Sequence, residues 1–313
     1  MPHVRTAFVL MALLSTGAGA QRLPVIDVHL HAYPTLPPPG DPIWTAVPPG
    51  LNRSRPATPE EHRAETLRQM DRHNVVLGVL SGPSADLLRS WKAESPGRFI
   101  AGAWLKVDAE VRPSVNDLRS AFEDETYGVL GELNLAYDGV SPDDPRLDPY
   151  YAMAAKLGVP VGFHMSLGPP GTPYSHAPRF RITLGDPALL EPVLIRHPML
   201  KVYLMHAGHP FLDHTKAILF MYPQVYLDVG VISWVMPRAE FHNYLRALVD
   251  AGFEDRIMFG SDQVFWPEAI GIALDAIGTA SFLTERQKRG ILYDNAARFL
   301  ELSDREIARH HSR

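Results

Sequence analysis

Eight short apolar runs rich in β-forming residues recur along this chain, each followed by a longer stretch of helical period, and that alternation leaves few folds open. The runs are Val25 to His29, Val75 to Ser81, Phe99 to Leu105, Val129 to Leu135, Val159 to His164, Lys201 to His206, Val225 to Val229 and Ile257 to Asp262. Strands that alternate with helices pair in parallel, and eight such units close the sheet on itself. The fold class expected is therefore α/β, a single-domain (β/α)8 TIM barrel with its functional rim at the C-terminal ends of the strands. Helix punctuation agrees. Thr58-Pro59-Glu60-Glu61 offers an N-cap, a first-turn proline and early carboxylates for a helix reaching His73. Gly158 caps a helix from Tyr150 to Leu157, and a last helix from Glu285 to Leu302 would complete the ring. No short-period repeat is present, which sets a solenoid aside.

At the N-terminus, His3 and Arg5 precede the apolar run Ala7 to Leu14, and Ala18-Gly19-Ala20 has the small-residue spacing that a signal peptidase reads. Residues 1–20 are expected to be a signal peptide and 21–313 the barrel domain, exported to the periplasm or beyond. The apolar stretch is short for a bilayer span, so no stable membrane anchor is expected after cleavage. The chain has 0 cysteines, so any metal must be held by nitrogen and oxygen. With 46% hydrophobic and 21% charged residues it can bury a sizeable core. A formal net charge of -5 and the lack of any Lys/Arg-rich run exclude a phosphate-tracking face, so nucleic acid is not an expected partner. A homodimer is only the base-rate expectation.

The chemistry begins with Asp27-Val28-His29-Leu30-His31. In a strand, residues two apart face the same side, so His29 and His31 can both point into the barrel mouth and meet one cation. Such a pair is weak evidence by itself. Its weight comes from His164 ending the fifth run, His206 ending the sixth and Asp262 ending the eighth, each a metal-competent side chain at the functional rim. Glu132 lies inside the fourth run, where a charge is costly unless it is bound to a cation, paired with a neighbouring arginine or hydrogen-bonded in the barrel. Two long connections, Tyr33 to Thr58 and Ser166 to Gly185, leave strand ends on that same side. Tyr137, Tyr174, His176, Arg179, Arg181 and Trp266 are expected to overhang the site as substrate contacts, the two arginines suiting an anion. His209 is read as structural or substrate-facing, and His310-His311 as a solvated tail.

This set of H-x-H, strand-five histidine, strand-six histidine and strand-eight aspartate resembles the amidohydrolase superfamily, specifically its amidohydrolase-related branch of TIM-barrel metal-dependent hydrolases. The likeness covers almost all of the chain beyond residue 20. The resemblance implies that His29, His31, His164 and Asp262 bind metal and that Asp262 also handles the proton of the attacking water. His206 would be a second-metal ligand or a catalytic histidine. Two-metal members bridge their cations with a strand-four carboxylate, often a carboxylated lysine, whereas one-metal members, the decarboxylases among them, lack the bridge. No lysine occupies Gly131 to Leu135, so Glu132 is the candidate bridge. The cofactor expected is one or two divalent metal ions, zinc by default, with manganese or iron accommodated by the same ligands. The expected activity is hydrolysis of a small-molecule ester or lactone, amide or phosphoester by a metal-activated water. The alternatives are a single-metal non-oxidative decarboxylase and a secreted binding protein without catalysis, which would need broken ligands. Gly168-Pro169-Pro170-Gly171 lacks the lysine of a phosphate cradle.

Overall fold

In the computed structural model, all eight runs form strands: β1 Val25–His31, β2 Val75–Gly82, β3 Phe99–Ala103, β4 Val129–Leu133, β5 Val161–His164, β6 Val202–Met205, β7 Val225–Asp228 and β8 Ile257–Met258. Residues 23–38, 41, 55–109 and 112–312 are described; the expected signal segment and most of the Pro-rich connection after β1 lie outside them. The strands pair in chain order from β1 to β8, every neighbouring pair parallel. The ring is drawn together by the segment after β8. Val28 N donates to Phe259 O at 2.9 Å and Asp262 N to His29 O at 2.8 Å. Gln263 clamps the end of β1, accepting from His31 N at 3.0 Å and donating to His31 O at 2.9 Å. The strands are buried on both faces because side chains fill the interior and helices cover the outside, which is why they read as apolar runs rather than as alternating ones.

The first helix, Pro59–Arg72, starts as its sequence requires, with Thr58 Oγ1 accepting from Glu61 N at 3.1 Å. The helix Asp148–Leu157 ends at Gly158, whose φ of 69° is the left-handed cap that glycine adopts without a steric penalty. The last long helix differs from its expected regular form. It runs Glu285–Arg289, widens into a π turn at Gly290–Asp294 and resumes at Asn295–Phe299. The widened turn leaves the Ile291 carbonyl to accept from Phe259 N at 2.8 Å, and Asn295 Nδ2 reaches Ile257 O at 2.7 Å. The π turn thus ties the outer layer to both ends of the shortest strand.

The chain end also corrects an expectation. His310 and His311 belong to a helix, Asp304–His311, opened by a Ser303–Glu306 capping box. His310 is 2% exposed and its Nδ1 lies 3.0 Å from the Tyr293 hydroxyl, so it is a packed residue and not a solvated one. Among the described residues no helix is long and apolar enough to cross a membrane.

Candidate active site

The end of β1 delivers His29 and His31 to the barrel mouth, with their Nε2 atoms 3.2 Å apart. Glu132 from β4 reaches them from across the barrel, and its two oxygens divide the site. Oε2 lies 3.3 Å from His31 Nε2 and 3.8 Å from His29 Nε2, while Oε1 lies 2.8 Å from His164 Nδ1 and 3.5 Å from His206 Nε2. Asp262 closes the group, with Oδ1 at 3.0 Å from His31 Nε2 and Oδ2 at 3.7 Å from His206 Nδ1. Six residues from β1, β4, β5 and the turns after β6 and β8 therefore meet in one buried cluster. Of the alternatives for Glu132, an arginine partner is absent from these contacts, whereas a hydrogen bond within the barrel is present, to His164 Nδ1 at 2.8 Å; its neighbours are imidazoles.

Two of these side chains are aimed by an unusual backbone. His206 and Asp262 have φ of 60° and 48°, in the left-handed region that costs an ordinary L-residue about 1–2 kcal/mol. Outliers of this kind cluster at functional sites, where the surroundings enforce them.

The outer nitrogens show what the inner ones must be. His29 Nδ1 donates to Asp228 Oδ2 at 3.1 Å and His206 Nδ1 to the Gly230 carbonyl at 3.1 Å, while His164 lies between two acceptors, Nδ1 at 2.8 Å from Glu132 Oε1 and Nε2 at 3.3 Å from the Leu167 carbonyl. A carbonyl or carboxylate oxygen can only accept, so in the neutral ring each donor nitrogen fixes the tautomer and leaves the opposite nitrogen with a bare lone pair. Both lone pairs face carboxylate oxygens, His29 Nε2 at 3.6 Å from Asp262 Oδ1 and His206 Nε2 at 3.5 Å from Glu132 Oε1. That arrangement is repulsive unless positive charge lies between them. Donor atoms around a tetrahedral cation bound at about 2.1 Å stand about 3.4 Å apart. The separations here, 2.8 to 3.8 Å, bracket that value. Three overlapping trios, His29/His206/Asp262, His29/His31/Glu132 and Glu132/His164/His206, each bring ligand atoms within 4.8 Å of one another. The residues present fit a divalent cation.

Protons on the rings are the other source of that positive charge. Burial opposes a charge on His29, but the carboxylates of Asp262 and Asp228 outweigh it and hold its pKa well above the ordinary value. Burial likewise opposes ionisation of Asp262, and the charges of His29 and His31 overcome it, bringing the carboxyl down to about 2. Glu132 is held well below the carboxylate range by hydrogen bonds from His164, His206 and His29 despite its burial. His164 goes the other way, lowered by burial and by the neighbouring His206.

Asp228, at the end of β7, was not among the sequence candidates. Besides orienting His29, its Oδ1 accepts from Gly230 N at 2.7 Å and His206 N at 3.2 Å. Its position at a strand end, like those of His164 and His206, was the available signal. Asp27 backs the cluster as a further buried carboxyl, accepting from Ser261 N and His29 N; burial pushes its pKa up to about 7.

Above the cluster opens a cavity of about 540 Å³. Of the expected contacts, Tyr137, His176 and Trp266 line it, and His209 is also in its wall. His209 packs against the Tyr244 ring at 5.2 Å between centroids. The structure does not bring Tyr174, Arg179 or Arg181 to it. Tyr174 is 95% exposed, Arg179 Nη1 donates to Asp108 Oδ2 at 2.7 Å, and Arg181 Nη1 donates to the Phe180 and Pro178 carbonyls at 2.7 and 3.0 Å. Their loop folds back on itself, so close that a Cβ on Gly185 would sit 2.5 Å from Ser166 O, and this return carries the arginines outward. Tyr33, Trp104, Trp234 and Phe265 are cavity residues that the sequence reading did not single out.

A family model described as Amidohydrolase matches residues 26–302 of the chain. A curated relative, Protein fluG of Emericella nidulans, is 23% identical over 134 residues, a match covering 38% of this chain and only 16% of that protein. Among solved structures, a probable 2-pyrone-4,6-dicarboxylic acid hydrolase from Acinetobacter baumannii with citric acid bound superposes with a TM-score of 0.62 at 17% identity, over 90% of this chain and 100% of that one. A 2,6-dihydroxybenzoate decarboxylase from Rhizobium gives 0.61 at 19% identity, over 90% and 99%. A dihydroxybenzoic acid decarboxylase from Polaromonas sp. JS666, with bound manganese and 2-nitroresorcinol, gives 0.62 at 16%, over 91% and 99%. At these identities the superpositions speak for the fold alone.

Proposed function

The chain belongs to the Amidohydrolase family of metal-dependent enzymes, and we propose that within it this protein is a two-cation hydrolase of small-molecule esters, lactones or amides, bridged by Glu132. The observation that carries this reading is the division of the Glu132 carboxylate, one oxygen toward the His29/His31 pair and the other toward His164 and His206. A single-cation site has no use for such a span.

A divalent cation bound there supplies Lewis acidity to a substrate oxygen and makes a neighbouring water acidic enough to attack near neutral pH. Asp262 stands between His31 and His206 and lines the cavity, where it takes the proton of the attacking water and returns it to the leaving group. With Nδ1–H committed to the Gly230 carbonyl, His206 has only its Nε2 lone pair to offer, which suits a ligand better than a proton donor. Zinc is our proposed metal, since the ligands are four imidazoles and two carboxylates; the manganese of the Polaromonas decarboxylase shows that a related barrel accepts another ion.

The decisive experiment is elemental analysis of the metal-loaded wild type and of Glu132→Gln, with product analysis on both. A two-cation hydrolase gives about two ions per chain, falling toward one in the variant together with hydrolysis. One ion per chain, unaffected by the substitution, and carbon dioxide released from a hydroxybenzoate would instead establish a one-cation decarboxylase, the reaction class named for the Rhizobium and Polaromonas proteins being decarboxylation.

A further inference from the structure

The walls of the cavity say more about the substrate than the metal cluster does. A continuous aromatic face climbs from the cluster. The Tyr33 ring stacks on His31 with centroids 5.6 Å apart, Phe265 lies 4.6 Å from Tyr33, Trp266 6.0 Å from Phe265, and Trp234 5.9 Å from Trp266. Tyr137 stands over His164 at 5.1 Å, and Trp104 meets His31 edge-on at 6.2 Å. Trp234 spends its indole N–H on the Ser261 carbonyl at 2.7 Å. Among the described residues that line the cavity there is no lysine or arginine, and its acidic groups, Glu132 and Asp262, belong to the cluster. The loop arginines nearest in sequence are paired elsewhere, Arg179 with Asp108 and Arg181 with backbone carbonyls.

We propose that the part of the substrate lying beyond the group held at the cluster is uncharged, with an aromatic or alicyclic body that stacks on the Tyr33–Phe265–Trp266–Trp234 face. The proposal rests on the hydrolytic reading for the reacting group but concerns the other end of the molecule. A distal carboxylate would lose water against aromatic faces, whose π clouds are negative, with no lysine or arginine among the described lining residues to replace it. A distal cation would be drawn to those faces but would share the cavity with the cluster's own positive charge. An uncharged ring meets neither cost, and a cavity of about 540 Å³ admits a ring of modest size.

The test uses the full metal-loaded chain at pH 8, where an ordinary imidazole is neutral. Phenyl esters carrying a para tert-butyl, carboxylate or trimethylammonium group are compared for hydrolysis, and the matching phenols for binding by quenching of tryptophan fluorescence. The tert-butyl compound is expected to lead both charged ones by roughly tenfold or more in kcat/KM and in affinity, in keeping with the cost of an unpaired buried charge. Val235 lines the cavity and is 40% exposed, so Val235→Arg adds a cation without disturbing the core; it should shift the preference toward the carboxylate by roughly tenfold. A carboxylated or cationic member that equals or exceeds the neutral one in binding overturns the proposal, as does an unchanged preference in Val235→Arg. If no ester is hydrolysed while the neutral phenol still binds best, the hydrolytic reading fails and the uncharged body stands.

Discussion

Asp228 shows how the site is held from behind. It accepts from His29 Nδ1 and from two backbone N–H groups at the rim, so it fixes which nitrogen of His29 faces the cluster. Removing the charge while keeping the shape, Asp228→Asn, should weaken metal affinity by about 10–100-fold, the usual loss when such an orienting partner is changed. Competition with a chromogenic chelator would measure it, and an affinity unchanged from wild type would mean that His29 is oriented by packing alone. The residue was legible only in part. His29, His31, His164, His206 and Asp262 stand out because each ends a strand or follows a period of two, but the bond between His29 and Asp228 joins residues 199 apart and depends on how β7 meets β1. Arg179 and Arg181 show the opposite error. Their loop was placed on the correct side of the barrel, yet the partner that turns Arg179 away, Asp108, belongs to the connection after β3, and nothing local to the loop announces it.

At the scale of elements, β4 is where glycine matters. Gly131 has φ of 151°, and a Cβ there would lie 2.8 Å from Gly162 O on β5; a Cβ on Gly102 of β3 would in turn lie 2.5 Å from Gly131 O. The three strands approach this closely because side chains are missing at the points of contact, and the next residue after Gly131 is Glu132. Gly131→Ala should therefore cost about 1–3 kcal/mol through overpacking and drag the Glu132 carboxylate with it. The expected readings are a lower melting temperature and a metal content below that of wild type, with the barrel's circular dichroism retained. Full metal content in a destabilised variant would show that Glu132 is positioned independently of the seam. Strand and helix existence was readable from apolar runs and caps, as Thr58 and Gly158 illustrate. The π turn was not, because what widens that helix is a bond from Ile291 O to Phe259, outside the helix's own periodicity.

For the whole molecule, the same convergence that makes a site makes a strain on the fold. Ligand atoms from β1, β4, β5, the end of β6 and the turn after β8 place bare lone pairs and carboxylates together at the one point where these elements meet. Only the folded chain presents them in this arrangement, so a cation binding there stabilises the native state by mass action, about 2.7 kcal/mol when its free concentration is a hundred times its dissociation constant. Chelation at neutral pH should then lower the melting temperature by roughly 5–10 °C, and restoring the metal should recover it. The sign follows from which state binds: the unfolded chain scatters these ligands, so removing metal lowers only the native side of the balance. In Asp228→Asn the gap between the metal-replete and metal-free melting temperatures should shrink, since the same metal concentration then represents fewer multiples of the dissociation constant. If chelation leaves the wild-type transition where it was, the positive charge among these side chains is carried by protons, consistent with a raised His29 pKa, and the cluster is not a metal centre at all.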